Sequence, residues 1–211
     1  MTRLAVLEYP DARLRQRAAP VRAFDAALLR LVDDLCDTLR AGAARPMAPQ
    51  VGVALQVLVV DVGAGAAAPE VYVNPRIVAQ HRHGMVEESC LSLPGFVDSV
   101  KRPIALRVQA CDAQGRAFER ELDGMRAVCL HHEIDHLQGR LFLDRLPFWR
   151  RRGARRRLGA ALRARGVPAP AMPESGLALG SFAATTSTAG RAARPADGVP
   201  PQPFQPAEAT R

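Results

Sequence analysis

The chain has 211 residues, of which 48% are hydrophobic and 24% charged, with a formal net charge of +8; that is enough for one domain with a substantial core and a tail. Glu8, Pro10 and Asp11 break up the N-terminus, and the longest apolar run, "VALQVLVVDV" at 53–62, is short and broken by Asp61, so neither a signal peptide nor a membrane span is expected. Cys36, Cys90, Cys111 and Cys129 form no CxxC pair, which points to free thiols in a reducing cytoplasm, where a thiolate can serve as a metal ligand.

In chain order, residues 25–40 predict an amphipathic helix: Leu28, Leu31, Leu35 and Leu39 recur at helical spacing, with Asp33, Asp34 and Asp37 elsewhere on the cylinder. "LQVLVVDV" at 55–62 reads as a strand, and "VYVNP" as a second one stopped by Pro75. Residues 104–112 and 117–123 flank "AQGR" and predict a hairpin. Residues 124–138 predict a helix ended by Gly139, and a last helix follows over about 148–165. From Gly166 onward the chain is rich in Pro, Ala, Gly, Ser and Thr without periodicity. Such a segment buries too little apolar surface to offset its ordering entropy, so 166–211 is expected to be a disordered tail.

Charge is uneven. Between Asp144 and Glu174 there is no acid and there are nine arginines, from Arg145 to Arg165. That local excess suggests an anionic partner. Lys101 is the only lysine, so a general bias toward arginine is the alternative.

The helix over 124–138 carries "HEIDH" at 132–136. Residues i and i+4 share a helix face about 5–6 Å apart, so His132 and His136 can grip one ion while Glu133 takes a proton from the water that the ion acidifies. A third ligand is required. A downstream histidine is excluded because Phe142 occupies the position it would need, and about twenty residues downstream, where a Glu would serve, the chain is arginine-rich with no acid between Asp144 and Glu174. Upstream, "EESCLSLPG" at 87–95 offers Cys90. A lone cysteine is ordinarily a small buried hydrophobe, but two histidines in want of a partner favour a Cys-His-His set with an open fourth position, suited to Fe(II), Zn, Ni or Co.

At these residues the sequence resembles the peptide deformylase family. "ARPMAPQ" at 44–50, "ESCLS" at 88–92 and "HEIDH" at 132–136 stand in the order and spacing of the family's three motifs, and the likeness spans roughly 3–150. The resemblance implies an α+β fold with short antiparallel sheets around a central metal-binding helix. It implies a catalytic domain over 1–148, followed here by an arginine-rich helix over 149–165 and the tail. Cys90, His132 and His136 would hold one divalent ion, Fe(II) in the cell, with Zn, Ni or Co as substitutes. Glu133 would be general base and then acid. The Gln50 side chain and the Leu91 backbone N–H would stabilise the oxyanion. The implied reaction is hydrolysis of the formyl group from N-formylmethionyl peptides, with Val86, Met125, Val128 and Cys129 lining the methionine pocket. In some family members a C-terminal helix is associated with ribosome docking, which the Arg150–Arg165 stretch could perform through rRNA phosphates. Neither membrane nor DNA is expected as a partner.

The first motif departs from the family pattern: Ala43 and Arg45 replace glycines, Pro46 its variable residue, and Met47 an alanine. Arg45 is therefore expected to contact the peptide or narrow the cleft. Ser89 replaces a glycine in the second. Two alternatives stay open: a metal amidase of the same fold with altered acyl-peptide specificity, and a non-catalytic ribosome or nucleic-acid binder using the basic helix. Arg102 is expected to pair with Glu88 or Asp135, and His131, about 100° round the helix from His132, is not expected to be a ligand.

Overall fold

The computed structural model describes residues 4–40, 48–60 and 69–166. The expectations for Ala43, Arg45, Pro46 and Met47, and for the tail from 167 onward, fall outside the described residues.

Four strands, β1 (Val57–Val60), β2 (Glu70–Ser89), β3 (Val97–Cys111) and β4 (Ala117–Asp123), form one antiparallel sheet in the order β1-β2-β3-β4. Three helices accompany it: α1 (Ala26–Arg40), α2 (Gly124–Leu137) and α3 (Phe148–Ala164). The fold is thus α+β, and α2 is its central helix, buried at every residue from Ala127 to Leu137.

β1 begins at Val57, two residues after the expected start, and all four of its described residues are buried. The period of two along a strand divides them between two cores. Val57 and Val59 pack with Leu28, Val32 and Leu35 of α1. Leu58 and Val60 pack with Ala127, Leu130, Ile134 and Leu137 of α2. The α1 register differs slightly from the sequence pattern, since Val32 and Thr38 are buried while Leu31 and Leu39 are only partly covered.

The expectation that Pro75 stops a strand is overturned: β2 runs on to Ser89. Proline lacks an N–H to give to the ladder, so it is tolerated in a sheet where the ladder is broken. Here the β2–β3 register slips between Val73 and Arg76, and Asn74 takes a positive φ of 53°. The Asn74 side chain accepts from Val21 N–H at 2.8 Å and donates to Val21 C=O at 2.9 Å, which replaces the lost pairing. β3 likewise begins at Val97, seven residues before the expected strand. The added arms, about 80–89 and 97–106, pair with each other and carry the chain out to the turn that holds Cys90.

α2 is capped by Asp123, whose side chain accepts from Gly124 N–H. It ends at Gly139, as the sequence predicts, with φ +70°. Behind that end, Ala18 N–H donates to the Leu137 carbonyl at 2.9 Å. α3 buries Ala154, Leu158 and Leu162 in a cluster with Cys90, Leu93, Phe96 and Phe142. The arginine-rich helix is therefore part of the core as well as of the surface.

Two glycines give opposite expectations. At Gly139 a Cβ would press into the Arg15 carbonyl and φ is positive, so Gly139→Ala is expected to lower stability by at least about 2 kcal/mol. Gly153, inside α3 with only the Arg157 guanidinium 4.0 Å away, is expected to gain about 0.5–1 kcal/mol as Gly153→Ala. Denaturant midpoints of the two variants check both signs.

Candidate metal centre

Cys90 follows the last residue of β2, in a turn closed by Leu93 N–H donating to the Cys90 carbonyl at 2.9 Å. His132 and His136 lie one turn apart on α2. Cys90 Sγ is 3.2 Å from His136 Nε2, which is 3.2 Å from His132 Nε2. All three side chains are buried, and their ligand atoms lie within 4.8 Å of one another. Four-coordinate bonds of about 2.0–2.3 Å space donor atoms by roughly 3.3–3.6 Å. The Cys90–His136 and His132–His136 separations of 3.2 Å stand within a few tenths of an ångström of that spacing. A thiolate and two imidazoles are a borderline-soft donor set, so chemistry and spacing both fit a divalent transition metal.

A second layer holds the first. His132 Nδ1 lies 2.9 Å from Glu88 Oε2, leaving Nε2 for the ion. Arg102 Nε donates to Glu88 Oε1 at 2.5 Å and Nη2 to Oε2 at 2.9 Å. Arg102 Nη1 donates to Asp135 Oδ2 and lies 2.7 Å from His131 Nδ1. Arg145 Nε also donates to Asp135 Oδ2, at 2.9 Å. The sequence left Arg102 a choice of Glu88 or Asp135, and the fold gives it both. His131 stands outside the ligand set, as expected. The His132–Glu88 contact and the pairing of Arg145 with Asp135 were not expected from the sequence.

Titration follows the same contacts. Burial opposes ionisation of Glu88, but His132 and Arg102 outweigh it and bring its pKa down to about 2. Burial also opposes a proton on His132, yet Cys90 and Glu88 raise its pKa to about 10. The negative surroundings that favour a proton there favour a cation equally. Burial, then the charge of His132, lowers His136 to about 3, so it is a neutral donor. Burial lowers His131 to about 4, with the Arg102 charge adding to it and Asp135 opposing.

Gln50 is buried in the single turn Ala48–Val51, and its Nε2 donates to Ser92 Oγ at 3.2 Å and to Cys90 Sγ at 3.7 Å. The Ser92 contact was not foreseen from sequence. Leu91, beside Cys90, is 39% exposed. Glu133 is buried on α2. Met125, Val128, Cys129 and His132 recur on one face of α2; Met125 is 61% exposed, Val128 and Cys129 are buried, and Val86 on β2 is half-buried. Arg45 lies outside the described residues.

The basic stretch divides. Arg145 pairs with Asp135, Arg150 and Arg157 with Asp98, Arg155 with Asp144, and Arg165 with Glu8. The local surplus that the sequence suggested for a partner is thus partly taken up inside the protein. Arg152, Arg156 and Arg163 take no part in the ion pairs of the described residues. They recur with Trp149 on the outer face of α3, and Trp149 is 74% exposed.

Comparison with known proteins agrees with this geometry. The model of the polypeptide deformylase family matches residues 3–152. A peptide deformylase of Alkalilimnicola ehrlichii is 43% identical over 165 residues, covering 77% of this chain and 93% of that protein. The crystal structure of a peptide deformylase from Legionella pneumophila superposes with a TM-score of 0.70 at 41% identity, covering 79% of this chain and 98% of that one. Peptide deformylase 1B of Arabidopsis thaliana, in complex with an inhibitor, gives a TM-score of 0.72 at 32% identity, over 81% and 99% of the two chains.

Removing the buried cation tests the second layer. Arg102→Met leaves Glu88 and Asp135 buried with one partner fewer each, and is expected to cost about 3–5 kcal/mol. Glu88 has a folded pKa of about 2 against an ordinary 4.5, and Asp135 is lowered too by Arg145 and Arg102 against the pull of burial. A depressed carboxyl stabilises fully above its unfolded pKa and loses that contribution as pH falls through the folded one. Urea midpoints of the parent protein should therefore drop between pH 4.5 and 2, and Arg102→Met should show a shallower drop.

Proposed function

Since the chain belongs to the peptide deformylase family and is a metal-dependent hydrolase of the deformylase type, we propose that its substrate is the N-formyl group of N-terminal formylmethionine on nascent peptides. Water cleaves the formamide C–N bond in the cytoplasm to give formate and a free α-amine. The observation that carries this reading is the buried Cys90, His132 and His136 cluster with the Gln50 carboxamide against its sulfur.

Cys90, His132 and His136 would hold the ion, Fe(II) in this proposal, with Zn, Ni and Co fitting the same donors. When bound, the ion supplies Lewis acidity, which lets water ionise near neutral pH and draws electron density from a carbonyl oxygen. Glu133 accepts the proton of the attacking water and returns it to the departing amine. Negative charge grows on the formyl oxygen as its carbon becomes tetrahedral. Gln50 Nε2 and the Leu91 backbone N–H receive that charge, already oriented. Val86, Met125, Val128 and Cys129 line the site for the methionine side chain, an apolar setting suited to a thioether.

We further assign the Arg150–Arg165 helix to ribosome docking through rRNA phosphates. Its support is the outer stripe of Arg152, Arg156 and Arg163 beside Trp149, outside the ion pairs of the described residues. Because α3 also packs against Cys90, cutting the chain before it would disturb the metal centre, so the surface charges are the cleaner test.

Anaerobically purified protein is expected to carry one Fe(II) per chain and to release formate from formyl-Met peptides but not acetate from acetyl-Met peptides. Glu133→Gln should retain the metal and lose about 10²–10⁴ in kcat. A formate yield equal to the parent's would refute the role of Glu133, and equal hydrolysis of the acetyl peptide would favour the broader amidase.

Reversing Arg152, Arg156 and Arg163 to Glu should weaken ribosome binding and flatten its log–log salt dependence by roughly two to three units. Short-peptide deformylation should stay as in the parent. Unaltered ribosome binding would remove the docking assignment.

A further inference from the structure

Gln50 and Ser92 form a buried pair whose placement the backbone fixes twice. Leu7 N–H donates to the Gln50 carbonyl at 2.7 Å, and Tyr9 N–H donates to the Ser92 carbonyl at 2.8 Å. The segment 7–9 thereby spans the Ala48–Val51 turn and the turn after β2, and holds the two residues in one register. Ser92 is wholly buried, and Gln50 is 3% exposed.

A primary amide nitrogen carries two hydrogens. On Gln50 one of them reaches Ser92 Oγ at 3.2 Å, a normal hydrogen-bond length. The direction toward Cys90 Sγ is looser, at 3.7 Å. Gln50 Oε1 is buried and has no partner among the described residues, so the contacts that orient the carboxamide there are those of its nitrogen. Cys90 Sγ, an acceptor, favours the nitrogen on the side of the metal ligands, and Ser92 Oγ, at a normal hydrogen-bond length, anchors that nitrogen more tightly than the sulfur does. An oxygen facing them would repel a growing negative charge where a donor is wanted.

We propose that Ser92 is a positioning residue for hydrolysis: its hydroxyl oxygen accepts one Gln50 Nε2 hydrogen and so keeps the other aimed at the carbonyl oxygen of the substrate. This rests on the reading of Gln50 as an oxyanion donor given above. Ser92 itself touches neither substrate nor ion. Its effect passes wholly through Gln50, which makes the two residues energetically non-additive.

The test is a double-mutant cycle on metal-loaded enzyme, with formate release from a formyl-Met peptide as readout and metal content and Tm as controls. Gln50→Leu should lower kcat by about 10²–10³-fold. Ser92→Ala should lower kcat by roughly tenfold or more, with KM within about twofold and the metal retained, because a donor lost only in the transition state moves kcat and not ground-state binding. In the Gln50→Leu background, Ser92→Ala should change kcat by less than about twofold. Ser92→Cys keeps the bulk with a weaker acceptor and should fall between parent and Ser92→Ala; it carries the same cycle if the alanine variant does not fold. Full kcat in both Ser92 variants, or a loss that multiplies undiminished onto Gln50→Leu, overturns the proposal. Full kcat in Gln50→Leu itself overturns the oxyanion reading instead, so the two failures are distinct.

Discussion

The geometry of the metal centre depends on a cation that is not one of its ligands. Arg102 sits on β3 with its side chain wholly buried, and it reaches both Glu88 at the end of β2 and Asp135 on α2. Burying a guanidinium is costly unless its donors and charge are met. Here two carboxylates and the His131 ring meet them. The spatial result matters more than the net energy. Glu88 stands two residues before Cys90, and Asp135 stands between His132 and His136, so one side chain ties the ligand-bearing hairpin to the ligand-bearing helix. Glu88 then turns the His132 ring so that Nε2 faces the other donors. Distances of 3.2 Å among three donors from two separate elements follow from that cross-link.

The arginines of α3 show how one composition serves two physical ends. Arg150 and Arg157 converge on Asp98, which lies on β3 near the Cys90 turn. The apolar stripe of α3 fills the cluster in which Cys90 is buried. Both features brace the flank of the sulfur ligand. The opposite face keeps its charge in water, where it costs little. A helix with three separate jobs on its circumference does not need a strong overall amphipathic pattern.

Much of the site was legible in the letters, for a definite reason. Metal ligation restricts residue type and helical ligation restricts spacing, so His132, Glu133 and His136 announce themselves locally. Cys90 and Gln50 were reachable through the second and first motifs of the family. The elements that failed to announce themselves depend on partners distant in sequence. β2 continues through Pro75 because Asn74 finds Val21, fifty-three residues away. The arm 97–103 becomes a strand because 83–89 lies beside it, not from its own alternation. Ser92 read as one small residue in a turn until Gln50 was brought against it. The charge balance of 145–165 could be counted, but which arginines remain for solvent is decided by where Asp98, Asp135, Asp144 and Glu8 end up.

The joint packing of Leu158 and Leu162 with Cys90 also has a consequence for the order in which the molecule is completed. The helix with both imidazoles is synthesised through residue 137, ahead of Leu158 and Leu162, which complete the cluster around the sulfur. A nascent chain that has exposed only its first 145 residues therefore has every donor atom but lacks the α3 side chains that pack in the cluster of the thiol. The metal centre of this hydrolase is thus completed by the last helix of the described residues.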